Sequence, residues 1–508
     1  MTLEVEKDSL NIKQITAKKS ELVTVEGECI VPDIKPDLIN IISTSGILNV
    51  YKKEVLNSKV RIDGAISVYV MYNGNDGEKD SIRSINHILD FSQIIAIENA
   101  NSEMNEVGNL SIEKIEARIV NERKISIKVT LRINIKLNSD LNIEYINNVK
   151  INDLQKKEKK IKINSVFGVG YTKTNISENI SIDNANNITE ILQVFNSIVN
   201  IDTKISYNKI LIKADVIVKL LYSTEDGKIN TTKETFPIMG FIDMKGISDE
   251  NIIKSNLEIK NAVIKPNGTQ DHSISVDMEI DMGIIAYDSK EMITIDDMYS
   301  PSKIINYSQK EVNLINDCQS HSGILNFNQT LLNDIGNEKI YDVETQVIAN
   351  EIKVLNNAIQ ISGSIKFIFI HSINKMNGLS CKRIELPFEY KLVCEGIKEG
   401  DRAELKYEIK NDSFNIISDK EIEIKIDILF IAETINNTKI KVVDNVYEEE
   451  NDERSNYNIV IYYTKNDDSL WKIAKEFCST TEIIKKDNKL ENETIKPGMQ
   501  LFISRFVH

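Results

Sequence analysis

Apolar and polar residues alternate along most of this chain, in runs whose period of two predicts strands with one buried face. The clearest run is Val60-Arg-Ile-Asp-Gly64-Ala-Ile-Ser-Val-Tyr-Val-Met-Tyr72, which sets Val60, Ile62, Ile66, Val68 and Val70 against Arg61, Asp63, Ser67 and Met71. It recurs as Ile210-Leu-Ile-Lys-Ala214-Asp-Val-Ile-Val-Lys-Leu-Leu-Tyr222 and as Ile359-Gln-Ile-Ser-Gly363-Ser-Ile-Lys-Phe-Ile-Phe-Ile-His371. The small residue moves from Gly64 to Ala214 to Gly363, steps of 150 and 149 residues by subtraction. That period is far longer than a solenoid's, so it predicts three homologous domains. The small residue lies on the apolar face, where a neighbouring backbone or side chain can approach.

Asp76-Gly77, Asp226-Gly227 and Asn377-Gly378 follow 12, 12 and 14 residues after the small residue, and such dipeptides suit the positive φ of tight hairpins. The returning strands carry Ile85, His87, Leu89 and Phe91, then Phe236, Ile238 and Phe241, then Ile384, Leu386, Phe388 and Tyr390. Each copy closes with a further alternating strand, at Ile125 to Ile135, Ile274 to Ile284 and Ile422 to Phe430, with polar outward positions such as Ser126, Lys128 and Thr130. A β-sandwich-like unit accounts for each copy.

Composition marks the joints. Lys150 to Lys162 is basic, Tyr287 to Tyr307 holds Asp, Ser and Pro, and Glu448 to Glu453 is an acidic run expected to be extended by self-repulsion. The expected division is therefore 1–149, 150–290 and 291–446 for the three β domains, 447–457 for an acidic linker and 458–508 for a terminal module. In that module the order is strand, helix, helix, strand. Ile459-Val-Ile-Tyr-Tyr-Thr is followed by Asp467-Asp468-Ser469-Leu470-Trp471-Lys472-Ile473-Ala474, a helical run through Ile483 and Ile484, and Ile495-Lys-Pro497-Gly498-Met-Gln-Leu-Phe-Ile503. The fold class predicted is mainly β: three β-sandwich-like domains followed by a small α+β (βααβ) domain.

Charge and chemistry narrow the function. A net charge of −15, with no arginine-rich face, excludes nucleic acid as a partner. Met1-Thr-Leu-Glu-Val-Glu-Lys-Asp lacks the basic start and apolar core of a signal peptide, and no apolar run reaches the length of a membrane span. Neither export nor membrane insertion is expected. Five cysteines at irregular spacing, with no Cys-x-x-Cys and no histidine at ligand spacing, suit a reducing compartment and predict no metal site. Gly168-Val169-Gly170 lacks the third glycine and helix of a phosphate loop and is read as a loop. Asp277, Glu279 and Asp281 alternate along one strand and are read as a solvated face. None of the five histidines has a catalytic partner in a motif, so no catalytic residue, cofactor or enzyme activity is predicted.

In the terminal module, Tyr462, Asp468, Ser469, Leu470, Ile473, Ala474, Asn488, Ile495, Pro497 and Gly498 match the LysM pattern, and the module resembles LysM domains, which commonly hold N-acetylglucosamine polymers. Three β units followed by one such module resemble the SipL type of spore coat morphogenetic protein, whose repeats are SPOCS domains. The resemblance implies a non-catalytic adaptor in the mother cell, at the forespore surface. There the LysM-like module contacts the coat-basement ATPase and the repeats offer surfaces to other coat proteins. Exposed sheet edges would also accept a strand from a second copy.

The residues expected to contact the partner are Asp468, Ser469, Leu470, Trp471, Ile484, Asn488, Ile495, Pro497 and Gly498. Ser469 is placed to cap the first helix, and Pro497-Gly498 to turn the chain into the last strand. Trp471, the single tryptophan, is open to two readings, an interface anchor or a core aromatic against Phe477. Asp467 stands where LysM domains usually have glycine and argues against a sugar site. The rival reading is a peptidoglycan-binding protein that holds N-acetylglucosamine with the loops around Asp468 to Leu470 and Ile495 to Gly498.

Overall fold

The protein is described by a computed structural model covering residues 3–75, 80–182, 187–268, 272–336, 338–373, 376–449 and 459–505. It is mainly β, with two short helices near the C-terminus. The first unit contains β1 (Val5–Ile30), β2 (Asp37–Leu56), β3 (Lys59–Asn75), β4 (Asp80–Ala96), β5 (Asn105–Glu106), β6 (Asn109–Asn121) and β7 (Lys124–Val149). The second has β8 (Gln155–Ser181), β9 (Ile188–Ser206), β10 (Lys209–Thr224), β11 (Ile229–Asp243), β12 (Ile252–Pro266) and β13 (Ser273–Tyr299). The third has β14 (Ile305–Leu332), β15 (Ile340–Leu355), β16 (Ala358–Ile373), β17 (Met376–Val393), β18 (Arg402–Ser418) and β19 (Glu421–Glu448). The terminal module comprises β20 (Ile459–Tyr463), α1 (Leu470–Glu476), α2 (Thr481–Asp487) and β21 (Gln500–Ser504).

Each unit is a sandwich of two antiparallel sheets. One is a meander, β2-β3-β4, β9-β10-β11 or β15-β16-β17; in the other the last strand of the unit lies between the first and the fifth full strand. The alternation sets the packing. Ile125, Ile127, Val129, Leu131, Ile133 and Ile135 of β7 and Val60, Ile62, Ile66, Val68 and Val70 of β3 are all essentially inaccessible and share one core. The second and third units repeat this with the Ile274 to Ile284 and Ile422 to Phe430 strands.

The small residue of the repeat has a local cause. Opposite Gly64, Ala214 and Gly363 the neighbouring strand carries one extra residue, between Val50 and Lys52, Val199 and Asp202, and Ala349 and Glu351. These bulges push backbone toward the small residue. A Cβ on Gly64 would strike the Asn49 carbonyl and lie 2.7 Å from the Phe91 ring, and one on Gly363 would strike the Ile348 carbonyl.

The three units do not hang as separate beads. Distal halves of the long pairs β1/β7, β8/β13 and β14/β19 extend beyond their sandwiches and share a core of Ile12, Ile143, Tyr145, Ile163, Met292, Leu314, Ile440 and Val442. The meander ends share a second, in which Met71, Leu221 and Ile370 meet Ile42, Leu192 and Leu379. Met71, assigned to the polar side of its strand by alternation, is thus buried on the outer face. Gln14 ties the units: Nε2 donates to the carbonyls of Asn164 (2.9 Å) and Ile315 (3.3 Å), and Oε1 accepts from the Ile315 amide at 3.2 Å.

Several expectations change. The Asp226-Gly227 turn forms, with Gly227 at φ +75° and Asp226 Oδ1 accepting from Thr224 Oγ1 at 2.6 Å. Asn377-Gly378 instead lies inside β17, because Ile373 pairs with Met376 and the chain reverses earlier. Asp76-Gly77 and the acidic run from 450 onward lie outside the described residues. Gly168-Val169-Gly170 is strand, not loop: a Cβ on Gly170 would strike the Ile242 side chain, so the glycines let β11 pack across β8. β13 runs through the boundary drawn at 290 to Tyr299, paired throughout with β8, and the turn between units falls at 300–304. Lys156 to Lys162 is likewise strand, and Tyr447 and Glu448 end β19 rather than begin a linker. Cys29, Cys381 and Cys394 are free thiols.

Candidate functional site

The terminal module is built around Leu470, Ile473, Ala474, Ile484, Leu501 and Ile503, all buried. Ser469 caps α1 by accepting from the Lys472 amide at 3.3 Å, and Thr480 caps α2 by accepting from the Ile483 amide at 3.1 Å. Asp468 accepts from the Tyr462 hydroxyl (2.8 Å) and the Lys465 amide (2.7 Å). The Lys465 amide bond, with help from Tyr462, holds its carboxyl below the usual carboxylate range. Asn488 fastens α2 to β21: its Nδ2 donates to the carbonyls of Ile484 (2.9 Å) and Phe502 (2.6 Å), and its Oδ1 accepts from the Phe502 amide at 2.7 Å. Gly498 adopts φ +81°, and its amide donates to the Thr464 carbonyl at 2.7 Å, which makes Pro497-Gly498 the turn into β21.

The nine residues expected at the contact thus separate by position. Leu470 and Ile484 face the module's own core, Ile495 is half-buried against it, and Asn488 is engaged internally. Asp468, Ser469, Pro497 and Gly498 remain on or near the surface.

Trp471 is occupied within the chain. Its Nε1 donates to Asp297 Oδ2 at 2.7 Å, and its ring meets Tyr299 edge-on with centroids 5.0 Å apart. Asp297 Oδ1 also accepts from Lys475 Nζ (2.5 Å) and the Tyr307 hydroxyl (2.7 Å), and the Tyr299 hydroxyl donates to the Ser479 carbonyl at 3.0 Å. Burial alone would raise the Asp297 carboxyl, but hydrogen bonds from Lys475, Trp471 and Tyr307 hold it below its ordinary value. The module is therefore seated on the end of β13 and the start of β14.

Sequence reasoning missed this seat, because Asp297, Tyr299 and Tyr307 fell in a stretch taken for a joint. It also missed the outer face of the β20/β21 sheet. Ile459, Ile461, Tyr463 and Phe502 are 66, 54, 61 and 47% exposed there, while Val460, Tyr462, Leu501 and Ile503 face the helices. An unbroken apolar strand, Ile459 to Tyr463, was the available signal, since both its faces are apolar.

The family model described as SipL, SPOCS domain, matches residues 37–120, 187–267 and 338–417, and the LysM domain model matches residues 462–504. The chain has the SipL-type architecture: three SPOCS domains and a C-terminal LysM domain. Each SPOCS match begins at the meander and ends at the fifth full strand, so the long pairs that join the units lie outside it. No curated protein and no solved structure matches the chain. Both families consist of binding domains rather than catalytic ones, and together they fit a sporulation coat-associated protein with a LysM module. No helix among the described residues is long and apolar enough to cross a membrane.

Proposed function

We propose that the protein is an adaptor in spore coat assembly, acting in the mother cell at the forespore surface, whose LysM domain docks on the coat-basement ATPase while the SPOCS body holds that domain in a fixed pose. The observation that carries this reading is the exposed apolar face of Ile459, Ile461, Tyr463 and Phe502 on a domain seated by Trp471 and Asp297. Four large apolar side chains on one small sheet suit a protein surface, where aromatic and aliphatic anchors carry most of the binding energy. Asp468 and Ser469 add polar groups at the surface of the same domain. The SPOCS sheet edges offer further places for coat proteins or a second copy to add strands.

The LysM match itself supports a second reading, retention of N-acetylglucosamine polymers by the loops at Asp468 to Leu470 and Ile495 to Gly498. Both readings are tested together by presenting the full chain, in parallel, with the purified ATPase and with cortex glycan. Saturable retention on the ATPase, lost in Phe502→Asp, is the expected result. Retention on glycan alone, unchanged in Phe502→Asp, favours the sugar reading.

A further inference from the structure

A cavity of about 620 Å³ lies between the first and second units and is capped by the third. That is the size of a small-molecule site, in an interior that is otherwise close-packed. Its floor is the β12/β13/β8 sheet. Lys254, Asn256 and Glu258 alternate along β12 and therefore point to the same face, opposite Ile285, Gly283 and Asp281 of β13. Gly283 keeps the middle of the floor low: a Cβ there would come 3.2 Å from the Tyr171 ring and 3.3 Å from the Asn256 carbonyl oxygen. Tyr171 lies alongside and donates its hydroxyl to the Glu106 carbonyl at 3.0 Å, joining the second unit to the first. It is 61% exposed, so the cavity reaches the surface at this tyrosine.

Charge is distributed unevenly along the floor. At one end Glu433, only 9% exposed, meets Lys254 (3.2 Å, also 9% exposed) and Lys406 (3.1 Å), with Lys136 lining the same wall. Burial would raise the Glu433 carboxyl, yet Lys406, Lys254 and Lys136 outweigh it and hold it at about 2. Lys136 is itself paired with Glu404, so two ammonium groups, those of Lys254 and Lys406, face the one carboxylate of Glu433. At the other end Lys53 sits between Glu258 (2.7 Å) and Glu106 (3.5 Å). Asp281 stands beside them. Its Oδ2 is 3.3 Å from Lys260, while its buried Oδ1 accepts no hydrogen bond among the described residues and has Lys173 no closer than 4.0 Å. Three carboxylates there face two lysines. Lys254 and Glu258 are four strand steps apart, roughly 13 Å between Cα atoms. Asp281, taken from the sequence as part of a solvated face, is the member of that row that lines the cavity, whereas Asp277 and Glu279 pair with Ser177 (2.7 Å) and Lys173 (2.6 Å) on the surface.

We propose that this cavity binds a small zwitterion of short-peptide type, with its carboxylate toward Lys254 and Lys406 and its ammonium toward Glu106, Glu258 and Asp281. An extended tripeptide spans about 10 Å, which matches the distance between the two ends once the lysine and glutamate side chains reach inward. The ammonium supplies the donor that Asp281 Oδ1 lacks. Backbone amides of the peptide pass beside Asn256 and the Tyr171 ring. The site is remote from the LysM domain and independent of the adaptor reading.

Isothermal titration of the full chain with trialanine tests this, beside N-acetyl-trialanine, trialanine amide, spermidine and citrate. Saturable one-to-one binding of trialanine is expected, weakened at least about tenfold by blocking either terminus. Asp281→Asn, which neutralises the most exposed carboxylate of the three, should weaken trialanine while leaving the thermal midpoint of the free protein close to that of the parent. Absence of saturable heat with millimolar trialanine would mean the cavity holds water alone and overturns the proposal. Equal binding of the blocked peptides, or capture of only spermidine or only citrate, overturns it as well.

Discussion

Gly363 shows how one position can carry a constraint that its own side chain does not advertise. A bulge at Ala349 to Glu351 brings the Ile348 carbonyl against its Cα, so that even a methyl group would clash. Gly363→Val should destabilise the chain by about 1–3 kcal/mol through forced displacement of β15, measured as a lower denaturation midpoint at unchanged slope. Glu344 works through charge instead. Burial pushes its carboxyl up to about 7, although Gln346 donates a hydrogen bond that opposes the rise. A carboxyl raised in the folded state is neutral without cost below the ordinary glutamate value near 4.3. Its contribution is then lost progressively as pH climbs through 7. Glu344→Gln is expected to flatten that part of the stability profile, as read by urea denaturation between pH 4 and pH 8.

In the proposed reading, function turns on the LysM domain and its seat. Because Trp471 is the only tryptophan, its fluorescence reports docking directly. Asp297→Ala removes the acceptor for Trp471, Lys475 and Tyr307 and should weaken the seat by about 1–3 kcal/mol, shifting Trp471 emission to the red while the SPOCS body stays folded. The depressed Asp297 carboxyl gives the same transition a pH signature. Its contribution is intact above the ordinary aspartate value near 3.9 and is lost as pH falls through the lower, folded value. The strands, the triplication and the βααβ order of the module were all legible, because period-two alternation and capping residues such as Ser469 act locally. The seat was not. Asp297 acquires its role only when a helix 174 residues further on arrives beside it, and no local pattern encodes that meeting. Asn377-Gly378 failed for a related reason: the dipeptide favours a turn, but β16/β17 pairing places the reversal before it.

Across the whole molecule, three sandwiches behave as one body because their strands outrun their own cores. The signal for this was present as adjacent apolar pairs, Val70-Met71, Leu220-Leu221 and Phe369-Ile370, where strict alternation breaks and a second buried face begins. Gln14→Leu strips three inter-unit hydrogen bonds at a buried point and should cost about 1–3 kcal/mol, splitting a single calorimetric transition of the SPOCS body into more than one. The shared cores and the seat at Asp297 fix how the LysM sheet is presented, as the proposed adaptor role asks. The decisive measurement is co-sedimentation of the full chain with the polymerised coat-basement ATPase, compared with Ile461→Glu, a change at a solvent-exposed side chain whose circular dichroism is first matched to that of the parent. The adaptor account predicts that the parent chain pellets saturably with the polymer and that Ile461→Glu stays in the supernatant; equal pelleting of the two, or of neither, would contradict it.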